Sequence, residues 1–495
     1  MMDTVARGVV AAGHPETAAA GAEILKEGGN AVDAAIAAMF ASFACEPLLS
    51  GLGAGGYMLV RNPAGQSVLL DFFVAAPGEG RASGDFAPLV PNEVNFGDAT
   101  QVFHIGASSC GTYGVPAGIA EAHRRFAIAP LERLAERGAQ LAREGTELNR
   151  EQAYVLGILE GIITFTPGAA EIYAPEGRPL REGEKIFNPL LGDSIERLAN
   201  DGAEPFYTGD IASSVLAALD EFGGLLTSED LRSFTVADRD PIVSEYRDYQ
   251  VLLNPPPSAG GILIAYALGL LEQDDSPPTP HRLVEVMNLA QTERTQEFLT
   301  QLQSPGLLDT FLASKLGSTT HISALDCDGW ACSVTSSNGE GCGIVAPGTG
   351  IHLNNMLGEE DLNPLGFHKH APGARLPSMM APTVLVRDGE PMLVLGSAGS
   401  NRIRSAVLQV VVNWVDRGMD LKAAVQAPRI HVEDGTVYLE PGAAVDGIDD
   451  PDHTLLRFRA LNLYFGGVEA VGLNRRTREL VGAGDPRRGG AAASG

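Results

Sequence analysis

Gly317-Ser-Thr-Thr-His-Ile-Ser-Ala-Leu-Asp-Cys-Asp-Gly-Trp-Ala-Cys-Ser-Val-Thr-Ser-Ser-Asn-Gly339 is the stretch on which the reading of this chain turns. Its pattern predicts two short strands, Thr320–Leu325 and Trp330–Thr335, joined by the turn Asp326-Cys-Asp-Gly329. Asp tolerates positive φ and Gly readily supplies it, so the pair marks a turn. Just ahead of the first strand stand the small hydroxyl residues Ser318, Thr319 and Thr320. A hydroxyl at a chain break before a buried strand suits a hydrolase whose nucleophile is its own N-terminal residue, because the freed amine serves as base for the side chain beside it.

The rest of the chain sets bounds on that idea. Its 495 residues allow two to three domains or one large α/β unit. A hydrophobic content of 44% with 59 glycines is a soluble, globular composition. Lys and Arg number 35 against 62 Asp and Glu, a net charge of −27. So acidic a field argues against a nucleic-acid or anionic-membrane partner, which needs clustered Lys and Arg. Met1-Met-Asp-Thr-Val-Ala-Arg-Gly8 has no basic segment followed by an apolar one, and no apolar run reaches about 18 residues, so the expectation is a cytoplasmic protein. The five cysteines include no C-x-x-C pair and read as reduced thiols, not as a disulfide framework or zinc knuckle.

Taken in order, Pro15–Glu27 reads as a helix with proline in its first turn and a Gly28-Gly29 stop. Asn30 caps a second helix, with Asp33 placed to help. Gly51-Leu-Gly-Ala-Gly-Gly56 satisfies G-x-G-x-x-G, and Asp71 follows at the distance of a ribose-binding acid. That dinucleotide motif needs a strand before and a helix after it. Here the order is reversed, with strands at Tyr57–Val60 and Ser67–Phe73, so the glycines read as a tight helix-to-strand passage and an oxidoreductase is the weakest reading. Helices are expected over Ala117–Phe126, Leu131–Arg143, Arg150–Ile162, Asp193–Asn200 and Ile211–Leu219, with a short capped one after Thr227. A hairpin, Ile242–Tyr246 with Tyr249–Leu253, leads through Asn254-Pro-Pro-Pro-Ser-Ala-Gly-Gly261 into the helices Ile262–Leu271 and His281–Leu299.

Beyond the opening hairpin, His368 and His370 stand near Glu359-Glu-Asp361, but two loop histidines without a third fixed ligand do not make a metal site, and no metal or other cofactor is expected. Strands at Met380–Val386 and Met392–Leu395 precede Gly396-Ser-Ala-Gly-Ser-Asn401 and the helix Arg402–Val415. A glycine-serine turn between strand and helix N-terminus presents N–H groups suited to an oxyanion. The tail Gly489–Gly495 reads as frayed.

These motifs, in this order, resemble the γ-glutamyltransferase (glutathione hydrolase) family of N-terminal nucleophile hydrolases. The resemblance runs from Gly13-His-Pro15, Gly28–Ala35 and Glu46-Pro47 through Gly51–Gly56, Pro255–Gly261 and Thr319-Thr-His321 to Pro347–Gly350, Leu353–Asn355, Gly396–Ile403 and Gly482–Arg487. It implies an α+β fold, the four-layer αββα sandwich, built after self-cleavage between Ser318 and Thr319 into a large segment (1–318) and a small one (319–495). By the same resemblance Thr319 is nucleophile and base, Ser337 is its hydroxyl partner, and Gly399 and Ser400 form the oxyanion hole. Asn338, Glu359 and Ser378 fall at substrate-contacting positions. The departures lie in the substrate half. The family's carboxylate-gripping arginine is Phe73 here, within Asp71-Phe-Phe-Val74, the paired serines are Pro377-Ser378, and Met356 follows Asn354-Asn355. Phe73 offers no charged fork. The expectation is therefore a threonine-based enzyme acting on a small-molecule γ-glutamyl amide such as glutathione. The same machinery on another acyl amide, as in cephalosporin-acylase-like relatives, is the alternative, and a non-catalytic scaffold is the competing class.

Overall fold

In a computed structural model the described residues are 6–81, 86–95, 100–274, 276–292, 319–363, 366–444 and 454–495. Ser318, the end of the expected helix beyond Thr292 and the loop at Ser304-Pro-Gly306 lie outside them. The hairpin forms as Thr320–Asp326 and Ala331–Ser337, antiparallel, with Thr320 opposite Ser336 and Leu325 opposite Ala331. It sits mid-way in a seven-stranded sheet ordered Ala491–Ser494, Gly8–Ala12, the two hairpin strands, Gly55–Arg61, Ser67–Phe72 and Ala237–Arg239. A second, six-stranded sheet runs Leu480–Ala483, Gly467–Leu473, Glu390–Ala398, Thr383–Arg387, Tyr249–Leu253 and Ile242–Tyr246.

Successive side chains of a strand point to opposite faces, and here both faces are buried. Val10, Ala12, Met58, Val60, Ile322, Ala324, Cys332 and Val334 meet an outer helix layer. Their neighbours Val9, Ala11, Tyr57, Leu59, Leu325 and Ala331 meet Leu252, Val384, Val394 and Val471 of the second sheet. That sheet's far face, with Val251, Leu253, Leu393 and Leu395, is covered by helices Gly260–Leu271, Pro280–Thr292 and Arg402–Val415. The order is helix, sheet, sheet, helix, the expected αββα sandwich.

Helix Ala31–Cys45 is buried at every residue, consistent with its nearly all-apolar Ala, Val, Ile, Met and Phe composition. Asn30 and Asp33 form the capping box that starts it, and the N–H of Ala31 reaches Asp326 Oδ2 at 2.9 Å, fastening this helix to the hairpin turn. The glycine passage behaves as read. A Cβ on Gly55 would stand 2.5 Å from the Val74 nitrogen and one on Gly56 2.4 Å from the Thr335 carbonyl oxygen.

Three expectations are corrected. Arg150–Ile162 is two helices, Arg150–Ile158 and Glu160–Ile163, broken at Leu159 between Gly157 and Gly161, each glycine costing about 1 kcal/mol of helix stability relative to alanine. The strand expected from Met380 starts at Thr383, after Pro382, which has no N–H for a ladder. The tail is not frayed. Ala491–Ser494 pairs with Val9–Ala12, and Gly495 exchanges backbone hydrogen bonds with Arg7 and Gly8, small side chains letting the strand lie flat at the edge.

Candidate active site

Thr319 is fully buried at the mouth of the first hairpin strand. Thr320 faces Ser336 in the ladder, so one step further along the same register sets Thr319 opposite Ser337. Beyond Ser337 the chain turns sharply. The Gly339 N–H donates to Ser337 Oγ at 2.8 Å, and Asn338 Nδ2 donates to the His352 carbonyl at 3.0 Å. A Cβ on Gly339 would stand 2.4 Å from Glu359 Oε1, so the Glu359 carboxylate lies against this turn. Thr319, Ser337, Asn338 and Glu359 are thus gathered at one end of the sheet.

The second sheet reaches the same end. The His321 ring lies on Gly396, where a Cβ would come within 2.3 Å of Cε1, so only glycine fits. Strand Glu390–Ala398 then runs out into Gly399, at φ +118°, and Ser400, at φ +58°. Ser400 adopts the left-handed conformation a glycine would take, at a strain of about 1–2 kcal/mol. Their carbonyls accept from the Arg402 and Ile403 N–H groups, starting the helix Arg402–Val415.

Polar contacts hold the strand Thr320–Asp326 from both faces. On the helix side the Thr320 hydroxyl donates to Glu46 Oε2, and Thr17 donates to Glu46 Oε1 at 3.0 Å. Burial pushes the Glu46 carboxyl above its usual range, opposed by these two hydroxyls and Arg488. On the other face His321 Nδ1 lies 2.8 Å from Thr335 Oγ1, and Nε2 lies 3.0 Å from Ser323 Oγ. Ser323 and Ser333 both donate to carbonyls, of Glu469 and Leu395, so they receive the His321 Nε2 proton and Nδ1 accepts from Thr335. Burial pushes His321 down to about 3, and it stays neutral as a strut between the sheets. Replacing Thr320 by valine removes a donor from a buried carboxylate. Thermal and denaturant unfolding are expected to show a loss of about 1–3 kcal/mol.

The substrate-side residues divide. Phe73 is fully buried between the sheets and stacked on Tyr57, ring centroids 5.3 Å apart. Nearby Asp71 accepts from the Phe73 N–H and pairs with Arg239 at 2.6 Å and Arg375 at 3.3 Å. Ser378 is also buried. Its hydroxyl accepts from the Met380 N–H at 3.0 Å, and its carbonyl accepts from the Ala259 N–H at 2.7 Å, locking the Pro255–Gly261 loop in place. Met356 joins the core between the sheets. His368 and His370 bond the Ser108 and Leu362 carbonyls, and among the described residues no three His, Cys, Asp or Glu side chains converge on a metal position. Glu46, His321 and Arg488 were not singled out by sequence reasoning. The first two stood inside quoted motifs, and Arg488 follows one directly.

The family profile described as Gamma-glutamyltranspeptidase matches residues 17–314 and 303–495. The chain belongs to the gamma-glutamyltranspeptidase family. It is 32% identical to the glutathione hydrolase proenzyme of Escherichia coli (strain K12), over 97% of this chain and 90% of that protein. It is 29% identical to the acylase ACY 1 proenzyme of Pseudomonas sp. (strain V22), over 95% and 90%. Among solved structures, the cephalosporin acylase from Bacillus halodurans superposes with a TM-score of 0.82 at 26% identity, covering 99% of this chain and 96% of that one. The αββα sandwich of this gamma-glutamyltranspeptidase family member is that of the N-terminal nucleophile hydrolases, and the family makes it an enzyme.

Proposed function

We propose that this chain cleaves itself between Ser318 and Thr319 and then cleaves γ-glutamyl amides, glutathione among them, by acyl transfer through Thr319. The observation that carries the reading is the ladder pair Thr320–Ser336, whose next register positions are Thr319 and Ser337 at the strand mouth, with Glu359 against the next turn. In the first event Thr319 Oγ attacks the Ser318 carbonyl, the peptide C–N bond breaks, and water hydrolyses the resulting ester. This leaves a carboxylate at Ser318 and a free amine on Thr319. In turnover that amine takes the hydroxyl proton as Oγ attacks the substrate amide, and passes it to the departing amine. The Gly399 and Ser400 amides face the developing oxyanion. Water or a second amine then releases the acyl group.

A second reading, the same machinery on a non-glutamyl acyl amide, is favoured by Phe73, which is committed to the core and offers no charge to an α-carboxylate. The purified protein is expected to yield a fragment beginning Thr-Thr-His-Ile-Ser. Its kcat/KM on γ-glutamyl-p-nitroanilide is expected to exceed that on glutaryl-p-nitroanilide, and the reverse ranking selects the second reading. An uncut chain inert on both removes the enzyme reading altogether.

A further inference from the structure

Arg488 occupies a track made by two glycines. Its Cδ lies 2.6 Å from where a Cβ of Gly467 would stand, and its Nη2 lies 3.6 Å from where one of Gly399 would stand. The side chain is half-buried and its guanidinium ends beside the turn that carries the oxyanion-facing amides.

The neighbouring arginines are all engaged. Arg429 pairs with Asp485, Arg487 with Glu440 and Asp485, and the Arg402 Nε donates to the Tyr464 carbonyl while its guanidinium lies over the Tyr464 ring. Arg488 differs. Among the described residues no carboxylate oxygen lies within 4.0 Å of it, and its buried Nε has no hydrogen-bond partner. Desolvation and the like charge of Arg402 push it down to about 10, with Asp485, Glu46 and Glu340 acting in the opposite sense from farther off. Glu46 is already the acceptor of two threonine hydroxyls. A desolvated cation with no carboxylate beside it is unfavourable, and an arriving anion relieves that cost. Arg488 also lines a small cavity with Gly13, Glu46, Glu151 and Leu463.

We propose that Arg488 receives a carboxylate of the substrate, doing from the oxyanion side what the arginine missing at position 73 does elsewhere in the family. The inference rests on the reading of Thr319 as nucleophile. A guanidinium fork binds a carboxylate through two parallel N–H donors, which suits a ligand arriving at this unpaired cation. The carboxylate belongs either to the acyl group or to the departing amine.

The test uses the self-cleaved protein and three amides: glutaryl-p-nitroanilide, with the carboxylate in the acyl part; butyryl-4-aminobenzoate, with it in the leaving amine; and butyryl-p-nitroanilide, with none. Arg488→Met is expected to lower kcat/KM on one of the two carboxylate-bearing amides, relative to the neutral one, by roughly tenfold to a hundredfold, mostly through KM. The amide that suffers identifies the source of the carboxylate, and Arg488→Lys is expected to restore part of the ratio. Unchanged ratios for both amides overturn the inference. Wild-type turnover that is lost in Thr319→Ala upholds the nucleophile reading independently. The wild-type protein supplies a second measurement should the variants fail to fold. Glutarate or 4-aminobenzoate is expected to inhibit at least ten times better than butyramide, and equal inhibition by all three overturns the proposal.

Discussion

Thr319→Ala is expected to leave one uncut chain and to lower amide cleavage by on the order of 10⁴-fold or more, the scale of loss when a nucleophile acting as a unit with its base is removed. The substitution is nearly silent for packing, since it deletes a hydroxyl and a methyl at a strand mouth. A collapse of activity in a chain that still folds cooperatively therefore isolates the chemistry. Intact mass reports the cut, and release of p-nitroaniline reports turnover. Thr319→Ser, which keeps the hydroxyl, is expected to recover both. A clipped Thr319→Ala chain, or one that still turns over substrate, would remove Thr319 from its role.

Asp485→Ala is expected to cost about 3–5 kcal/mol of stability, because removing one partner of a buried ion pair leaves the others uncompensated. The Asp485 carboxylate is fully buried and pairs with Arg429 and, at 3.1 Å, with Arg487. It also accepts the Val468 N–H at 2.8 Å. Burial works to raise its pKa, but Arg429 and Arg487 outweigh it and hold the carboxyl below its ordinary 3.8. A depressed folded pKa means the contribution is whole above the unfolded value and fades as pH falls through the folded one. The gap between wild type and Asp485→Ala is thus expected to be full at neutral pH and to shrink below about pH 4. Denaturant unfolding in a Thr319→Ala background, where the chain stays in one piece, measures both. A pH-independent gap would mean that cavity formation, not charge, sets the cost.

Local patterns in the sequence reached far. The hairpin around Asp326–Gly329, the capping box at Asn30 and the span of helix Arg402–Val415 all rest on interactions between residues close in the chain. The close passage at Gly53, Gly55 and Gly56 is legible because the flanking helix and strand are legible. What stayed hidden depends on contacts across the chain. His321 looks like any strand histidine until Gly396, Ser333 and Thr335 surround it. Ala491–Ser494 has no strand signature of its own and becomes a strand because Val9–Ala12 offers an open edge. Phe73 was named as a departure from the family pattern, but only its stacking on Tyr57 shows that the side chain is spent on the core. Arg488 follows the last quoted motif directly, and nothing in the run Asp485-Pro-Arg-Arg488 distinguishes the arginine that pairs with Glu440 from the one that meets no carboxylate among the described residues.

The order of strands in the two sheets decides the fate of the two pieces once the proposed cut is made. In the first sheet, strands from after residue 318 lie between strands from before it, with Gly8–Ala12 flanked by Ala491–Ser494 and Thr320–Asp326, and Ala331–Ser337 laddered to Gly55–Arg61. The second sheet is shared as well, through Tyr249–Leu253 beside Thr383–Arg387. The two pieces are interleaved like the fingers of clasped hands, so neither slides free without tearing open both ladders. Cutting one peptide bond then changes little in the folded state and much in the reverse direction. An intact precursor refolds as one molecule, whereas the separated pieces must first find each other, and their re-entry depends on concentration. The proposed maturation step would then work as a ratchet, with the lifetime of the cut form set by the barrier to opening rather than by the balance between folded and unfolded states.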